Sequence, residues 1–178
     1  MDKVKRTPAK LSELVKEFDM EILNKAPDYE SQTVTISDVN RPALQLVGFY
    51  DYFEPKRLQV FGKSEMTFLK AMKLEDRRRV FDNLLRCEIP ALIIARNMEI
   101  FPELLEIARK HGRTLLRSEL NTVELTSQII DYLNRALAPQ ITRHGVLMNI
   151  YGQGVLMIGD SGIGKSETAI CLLYTSDA

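Results

Sequence analysis

The sequence predicts an α/β protein, with a small N-terminal α/β domain followed by the start of a second domain around a glycine-rich loop. A buried apolar run at 91–95 and a strand candidate at 114–116 flank a helix expected from Pro102 to a stop at Gly112. This strand, helix, strand order is typical of a parallel layer, because parallel neighbours need a long crossover. A content of 45% hydrophobic and 27% charged residues is that of a globular chain.

The first third of the chain predicts short elements. Residues 10–18 have apolar side chains at helical spacing, and we expect an amphipathic helix there with Ser12 as its cap. Residues 33–36 alternate Thr and aliphatic residues, as a strand does. Asn40 stands two positions before a proline, which predicts a helix capped by Asn40 and ended by Gly48.

The middle of the chain predicts a strand and two helices. Residues 58–61 form a strand candidate ended by Gly62, and Ser64 is the expected cap of the helix that follows. A second helix is expected over 75–85. Its three arginines at 77–79 lie among carboxylates, which favours a solvated, ion-paired face over a binding patch.

The domain boundary is expected where a long helix ends. Residues 121–137 have apolar side chains at helical intervals, and Pro139 ends the pattern. We therefore expect an N-terminal domain over 1–134, a linker over 135–140 and an incomplete second domain over 141–170.

The second domain is predicted to begin with a β-hairpin. Its strands are 145–150 and 155–158, and the intervening Tyr151-Gly152-Gln153-Gly154 contains two glycines that suit a tight turn. His144 directly precedes the first strand. Taken alone, such a histidine is more often a surface or core residue than a catalytic one. His111, at a predicted helix end, is expected to be a helix-terminal cation when protonated.

The loop after the hairpin satisfies the P-loop pattern G-x-x-x-x-G-K-[ST] between a strand and a helix-prone segment. Glycines allow the backbone N–H groups to point at phosphate oxygens, and the following helix offers its positive end. Lys165 would neutralise terminal phosphates, and the Ser166 hydroxyl would ligate magnesium. The pattern leaves the reaction open, because ATPases, GTPases and small-molecule kinases share it. The expected nucleotide-binding residues are Gly159, Asp160, Ser161, Gly162, Ile163, Gly164, Lys165 and Ser166.

The bulk properties argue against several classes of partner. A formal net charge of zero gives no support to nucleic-acid binding. The sequence contains neither an 18-residue apolar span nor a signal-peptide pattern, so we expect a cytoplasmic protein without a membrane partner. Cys87 and Cys171 are far apart and outside any Cys/His cluster, which favours reduced thiols over a disulfide or a zinc site.

Several strings of the chain resemble the HPr kinase/phosphorylase family. The strings around the loop are Arg143-His144-Gly145-Val146-Leu147, residues 151–156 and residues 159–169. Further resemblance lies upstream, so that it covers nearly the whole chain up to Ala169. The upstream strings are residues 40–46, 49–53, 89–90 and 132–133.

This resemblance implies a bifunctional bacterial enzyme, an ATP-dependent serine kinase and phosphorylase of the phosphocarrier protein HPr that regulates carbon catabolite repression. It implies ATP and Mg²⁺ as cofactors, with use of inorganic phosphate or pyrophosphate, and a homo-hexamer. It also implies an N-terminal domain like one of the Mur ligases and a C-terminal P-loop kinase domain. By this resemblance His144 and Lys165 are the active-site histidine and lysine, and Ser166 holds the magnesium ion.

The end of the chain departs from the family pattern. The family continues the helix after the loop with Leu, Glu, Lys and Gly, then reaches a proton-accepting Asp and a magnesium-binding Glu. Residues 171–178 match none of this, and we expect them to be a non-native tail. Asp177 lies in that unmatched segment and is not expected to be the base. The 178-residue chain alone is therefore expected to be inactive.

Two other functions remain open at this point. The chain could serve as a non-catalytic N-terminal module for oligomerisation or binding, in which nucleotide has no effect. It could also be an unrelated P-loop ATPase or GTPase, which would hydrolyse nucleotide without a protein substrate.

Overall fold

The structure is a computed structural model that describes residues 7–140 and 144–176. The chain divides into two compact units, an N-terminal unit over Arg6–Ala138 and a C-terminal unit that begins at Pro139.

The N-terminal unit alternates short strands and helices. Its elements are β1 (Ala9–Lys10), α1 (Leu11–Glu17), β2 (Glu21–Asn24), β3 (Thr33–Val34), β4 (Val39–Asn40), a 3-10 helix (Gln45–Val47), β5 (Leu58–Phe61), α2 (Lys63–Ala71), α3 (Leu74–Arg86), β6 (Ala91–Ile94), α4 (Pro102–His111), β7 (Thr114–Arg117) and α5 (Thr122–Ala136). The C-terminal unit contains β8 (Gly145–Ile150), β9 (Gln153–Ile158) and α6 (Lys165–Ser176).

A five-stranded sheet with the order β2-β7-β6-β5-β4 forms the centre of the N-terminal unit. Strands β4 to β7 are parallel, and β2 pairs antiparallel with β7, with Glu21 opposite Arg117. A separate antiparallel pair joins β1 to β3, with Ala9 opposite Val34. The sheet confirms the predicted α/β class.

Helices cover both faces of this sheet. All four residues of β6 are buried, since Ala91 and Ile93 face one apolar cluster and Leu92 and Ile94 face another. Burial on both faces explains why β6 is a continuous apolar run. The first cluster is completed by α1 and α5, and the second by α2, α3 and α4. The N-terminal unit is therefore a three-layer α/β/α arrangement.

The three predicted side-chain caps, Ser12, Ser64 and Asn40, are wrong. Asn121, which was not predicted as a cap, does cap α5, because its Oδ1 accepts the Glu124 N–H at 3.0 Å. Ser12 lies inside α1, which begins at Leu11 without a side-chain cap. Ser64 lies inside α2, where the Glu65 carboxylate accepts the Gly62 N–H at 2.8 Å. Asn40 is not a cap, because it belongs to β4 and its Nδ2 donates to Gln59 at 2.7 Å.

The segment after Asn40 is also less helical than expected. The predicted helix is reduced to a 3-10 turn at Gln45–Val47, although Gly48 does end it with a φ of 87°. Of the strand predicted at 33–36, only Thr33 and Val34 pair with a neighbour. Strand β3 pairs with the two residues of β1, which limits its length.

The expectation of a solvated arginine face holds for two of the three arginines. Arg78 pairs with Glu106 at 2.6 Å, and Arg79 pairs with Asp76 at 3.7 Å, all on exposed side chains. Arg77 is different, since its side chain is 15% exposed and pairs with the buried Glu103 of α4. Its guanidinium also lies 4.4 Å from the centre of the Phe101 ring. A solvated face is therefore wrong for Arg77, which joins α3 to α4.

His111 ends α4 before Gly112, whose φ is 60°. Its Nε2 lies 2.9 Å from Oδ1 of Asp82 on α3, so the contact that positions it is a side-chain pair. Lys110 donates to the same carboxylate at 2.7 Å, and Arg86 donates at 2.6 Å. Bonds from Lys110, His111 and Arg86 hold the pKa of Asp82 well below its ordinary value of 3.8.

The C-terminal unit begins with the predicted hairpin. Strands β8 and β9 pair from Gly145 opposite Ile158 to Ile150 opposite Gln153. The turn consists of Tyr151 (φ 50°) and Gly152 (φ 78°), both in the left-handed region that two-residue hairpin turns require. Gly154 is therefore a strand residue opposite Asn149, and its predicted place in the turn is wrong. No helix among the described residues has the length and apolarity needed to cross a bilayer.

Candidate phosphate-binding site

The glycine-rich loop joins the end of β9 to the beginning of α6 and borders an open cleft of about 790 Å³. The cleft brings together all of the predicted site residues except Ile163, which is 67% exposed. Ile163 instead lies beside Gly159, where its Cγ2 is 3.2 Å from the position that a Cβ would occupy. The cleft is lined by His144, Gly145, Gly159, Asp160, Ser161, Gly162, Gly164, Lys165, Ser166 and Glu167.

Two glycines let the loop curl. Gly162 has a φ of 85° and Gly164 a φ of 88°, both in the left-handed region that side chains with a Cβ rarely adopt. The space beside Gly162 is open, since nothing lies within 4 Å of the position of its missing Cβ. The curl thus leaves room for a ligand against the backbone and leads directly into the first turn of α6.

The side chain of Lys165 folds back onto the main chain of the loop. Its ammonium donates to the carbonyl oxygens of Gly159 at 2.8 Å and Asp160 at 2.5 Å. A lysine ammonium has three N–H donors, so these two bonds leave one for a ligand. The side chain is therefore fixed over the loop before any anion arrives.

The first turn of α6 holds the loop in place. Thr168 donates to the carbonyl oxygen of Gly164 through both its N–H, at 3.0 Å, and its hydroxyl, at 2.9 Å. Ser166 is exposed at the second position of the helix, where its hydroxyl can reach a ligand in the cleft. The motif pattern did not include Thr168, although a Thr four residues after a loop carbonyl commonly makes this bond.

His144 reaches the cleft through strand pairing. Because Gly145 lies opposite Ile158, the residue before Gly145 is brought beside the residue after Ile158, which is Gly159. A Cβ on Gly145 would lie 2.6 Å from the Met157 carbonyl oxygen, so this close approach of the strands requires glycine. His144 is exposed and lines the cleft together with the loop. Arg143, its neighbour in the resemblance, lies outside the described residues.

The residues of the cleft fit a nucleotide and a magnesium ion. An open curl of backbone, a lysine with a spare donor and a helix start suit a polyphosphate. The Ser166 hydroxyl is a hard oxygen ligand of the kind that Mg²⁺ prefers. Glu167 also lines the cleft, although the P-loop pattern does not include it, because it directly follows Ser166.

The fold and the cleft define an α/β protein with a glycine-rich loop between a strand and a helix. A family model described as HPr Serine kinase N terminus matches residues 9–133. A second model, described as HPr Serine kinase C-terminal domain, matches residues 135–176. The chain belongs to the HPr kinase/phosphorylase family.

Curated relatives agree with this assignment. The chain is 44% identical over 163 residues to the HPr kinase/phosphorylase of Caldicellulosiruptor bescii, covering 92% of this chain and 52% of the relative. It is 46% identical to that of Alkaliphilus metalliredigens and 44% identical to that of Clostridium perfringens, with the same coverage. The chain therefore spans about half the length of the curated relatives it matches.

A solved structure shares the fold. It contains the CBS and DRTGG domains of the regulatory region of a Clostridium perfringens pyrophosphatase, complexed with the activator diadenosine tetraphosphate. The TM-score is 0.56 at 12% identity, over 96% of this chain and 61% of that chain. This likeness concerns the fold alone, and the expected likeness to a Mur-ligase domain stays a prediction.

Proposed function

We propose that this chain forms the N-terminal unit and the nucleotide-binding part of an HPr kinase/phosphorylase. The complete enzyme would transfer a phosphoryl group from ATP to a serine of HPr and would remove it again with inorganic phosphate, forming pyrophosphate. The proposal rests on one observation, the curled loop at 159–166 between β9 and α6 in a chain of this family.

The roles of the residues follow from their places in the cleft. Bound ATP would supply the phosphoryl group, and Mg²⁺ would neutralise its phosphate oxygens. The third N–H of Lys165 and the amides of the loop would donate to phosphate oxygens, where charge develops during transfer. Ser166 would offer its hydroxyl to the metal, and His144, which lines the same cleft, would be the active-site histidine.

The proposal also includes the protein partner, the assembly and the cellular location. We expect HPr as the protein partner, a homo-hexamer as the assembly and a cytoplasmic location with a role in carbon catabolite repression. Neither nucleic acid nor membrane is an expected partner. Light scattering coupled to size-exclusion chromatography measures the oligomer directly, and a monomer at micromolar concentration would contradict the hexamer for this chain.

Nucleotide binding tests the central observation. ATP with MgCl₂ should raise the thermal midpoint of the 178-residue chain, because a ligand at about 100 times its Kd stabilises the folded state by roughly 2.7 kcal/mol. Lys165→Ala should abolish the rise, whereas Lys70→Ala, at an exposed lysine of α2, should leave it unchanged. A wild-type midpoint that ATP does not move, together with no binding by calorimetry, would contradict the proposal.

Catalysis requires a separate test. The resemblance implies a proton-accepting Asp after the loop helix, and a base must reach the proton of the attacked hydroxyl. We therefore expect no serine phosphorylation of HPr by the 178-residue chain, with a complete HPr kinase/phosphorylase as the positive control. Incorporation of labelled phosphate into HPr by this chain alone would refute that expectation.

A second function, that of a non-catalytic module, is favoured by the distribution of the core. Among the described residues of the C-terminal unit, the buried apolar residues are Met148 and Ala169, and the two large apolar clusters lie in the N-terminal unit. This reading predicts self-association without nucleotide binding. The calorimetric titration above distinguishes the two functions.

A further inference from the structure

The charges at the cleft are unusual for a site that accepts a polyanion. The charged residues that line it are Asp160, Lys165 and Glu167, and His144 adds a positive charge only when protonated. Two carboxylates therefore face one ammonium among the described residues that line the cleft. Bare phosphate sites in proteins usually carry the opposite balance, because like charges repel.

Neither carboxylate is neutralised by Lys165. Within the described residues, no ion pair of 4 Å or less joins Lys165 to Asp160 or Glu167, and the ammonium donates to two main-chain carbonyls instead. Glu167 stands close to the loop, with its Oε2 3.9 Å from the position of a Cβ on Gly164. Both carboxylates are on exposed residues, so their charge acts on whatever enters the cleft.

We infer that Asp160 and Glu167 select the form in which nucleotide is accepted, admitting the divalent-metal chelate and repelling the metal-free polyphosphate. This inference rests on the proposed nucleotide-binding function. Metal-free ATP carries a charge of about −4 and its magnesium chelate about −2, so each carboxylate opposes the free form more strongly. Asp160 and Glu167 thus determine which form of the nucleotide binds, whereas Lys165 and Ser166 hold the nucleotide.

A purely structural role for Glu167 makes a different prediction. An acidic residue in the first turn stabilises a helix through the helix dipole. If this were its whole purpose, Glu167→Gln would lower the stability of α6 and would change the affinities for both forms of ATP by the same factor. The ratio of the two dissociation constants separates the two roles, because stability cancels from it.

The experiment measures the Kd for ATP by calorimetry, once with excess MgCl₂ and once with EDTA at equal ionic strength. The 178-residue chain is compared with Asp160→Asn, Glu167→Gln and the double variant D160N/E167Q. The matched controls are Asp51→Asn and Glu54→Gln, which make the same charge changes at exposed residues that do not line the cleft. Circular dichroism checks that each variant is folded.

We expect the wild-type chain to bind Mg-ATP at least about tenfold more tightly than free ATP, with the screened Coulomb interaction setting this scale. In D160N/E167Q the affinity for free ATP should rise by about tenfold more than that for Mg-ATP. Each single variant should fall between, and the controls should keep the wild-type ratio. Raising the salt concentration should shrink the difference.

The outcomes separate the inference from the function beneath it. Equal binding of both forms by the wild-type chain, or an unchanged ratio in the double variant, would overturn the inference and leave nucleotide binding standing. A ratio that narrows only because Mg-ATP binds more weakly would also overturn it, since the carboxylates would then hold the metal. Binding of neither form would sink the proposed function itself, and the inference with it.

Discussion

Asp82 of the N-terminal unit lies among several basic side chains. Its carboxylate accepts bonds from Lys110 and His111 of α4 and from Arg86 of α3, so that it joins two helices. Its partners Lys110 and Arg86 are 65% and 69% exposed. Solvent therefore screens these pairs, and we expect the cluster to make a modest contribution to stability.

The stability from Asp82 should depend on pH. Its pKa is lower in the folded chain than the ordinary 3.8, so the contribution is fully present above that value and is lost as pH falls through the folded-state pKa. Asp82→Asn should cost about 1 kcal/mol at pH 6, since exposed partners screen the interaction. Urea unfolding of both proteins from pH 6 to pH 2 should show this difference shrinking below about pH 4. A constant difference across that range would contradict the assignment.

At the scale of elements, the sequence predicted the strands and helices that bury one face or both faces. The strand β6 is apolar throughout because both faces are covered, and α5 carries a three-to-four spacing of apolar residues. The antiparallel strand β2 was missed. It lies at the edge of the sheet with Glu21 and Ile22 exposed, so tertiary pairing with β7, and not a local pattern, makes it a strand.

The errors at helix ends have a related cause. Several residues can cap a helix locally, and long-range contacts decide among them. The side chain of Asn40 donates to Gln59 on the neighbouring strand. The carboxylate of Glu65 accepts the Gly62 N–H and also accepts a hydrogen bond from Arg41 at 2.8 Å. Gln59 lies 19 positions from Asn40, and Arg41 lies 24 positions from Glu65, so a local cap pattern does not show these pairs. The bond from Gly62 to Glu65 is a local capping-box contact that the choice of Ser64 as cap overlooked.

Arg77 supports a prediction about how α3 holds α4. Arg77→Ala should cost about 3 kcal/mol of unfolding free energy, because it leaves the carboxylate of Glu103, 5% exposed, buried without its partner. The double variant R77M/E103L should recover most of this loss, since apolar side chains of similar size tolerate the site. Urea unfolding measures both variants.

Arg79→Ala is the control for the Arg77 experiment. Its side chain is 75% exposed, so its loss should change stability by less than about 0.5 kcal/mol. Equal effects of the two single substitutions would show that burial of the Arg77 pair is unimportant.

On the scale of the whole chain, the two units differ in how much they bury. The large fully buried side chains, such as Phe61 and Phe81, belong to the N-terminal unit. In the C-terminal unit many apolar residues are exposed, among them Leu147 at 72% and Ile158 at 58%. The sequence nevertheless predicted the glycine-rich loop between a strand and a helix, because its pattern is local, whereas the place of His144 depends on the register of β8 with β9.

Hydrogen exchange on the complete chain should report this difference. Amides of β5, β6 and β7 should exchange only through global unfolding, and those of β8, β9 and α6 should exchange at least about 100-fold faster. ATP with MgCl₂ should slow exchange in the loop and α6. Equal protection in both units without nucleotide would contradict the expectation.

The bonds of Lys165 to the Gly159 and Asp160 carbonyls give the resting loop an internal counter-ion. Because the third N–H of Lys165 remains for a phosphate, a ligand can bind while both of these bonds stay in place. Arginine cannot reproduce this arrangement, because its planar fork directs its donors differently from a compact ammonium. The loop therefore meets an anion with its lysine already ordered, which reduces the entropic cost of binding.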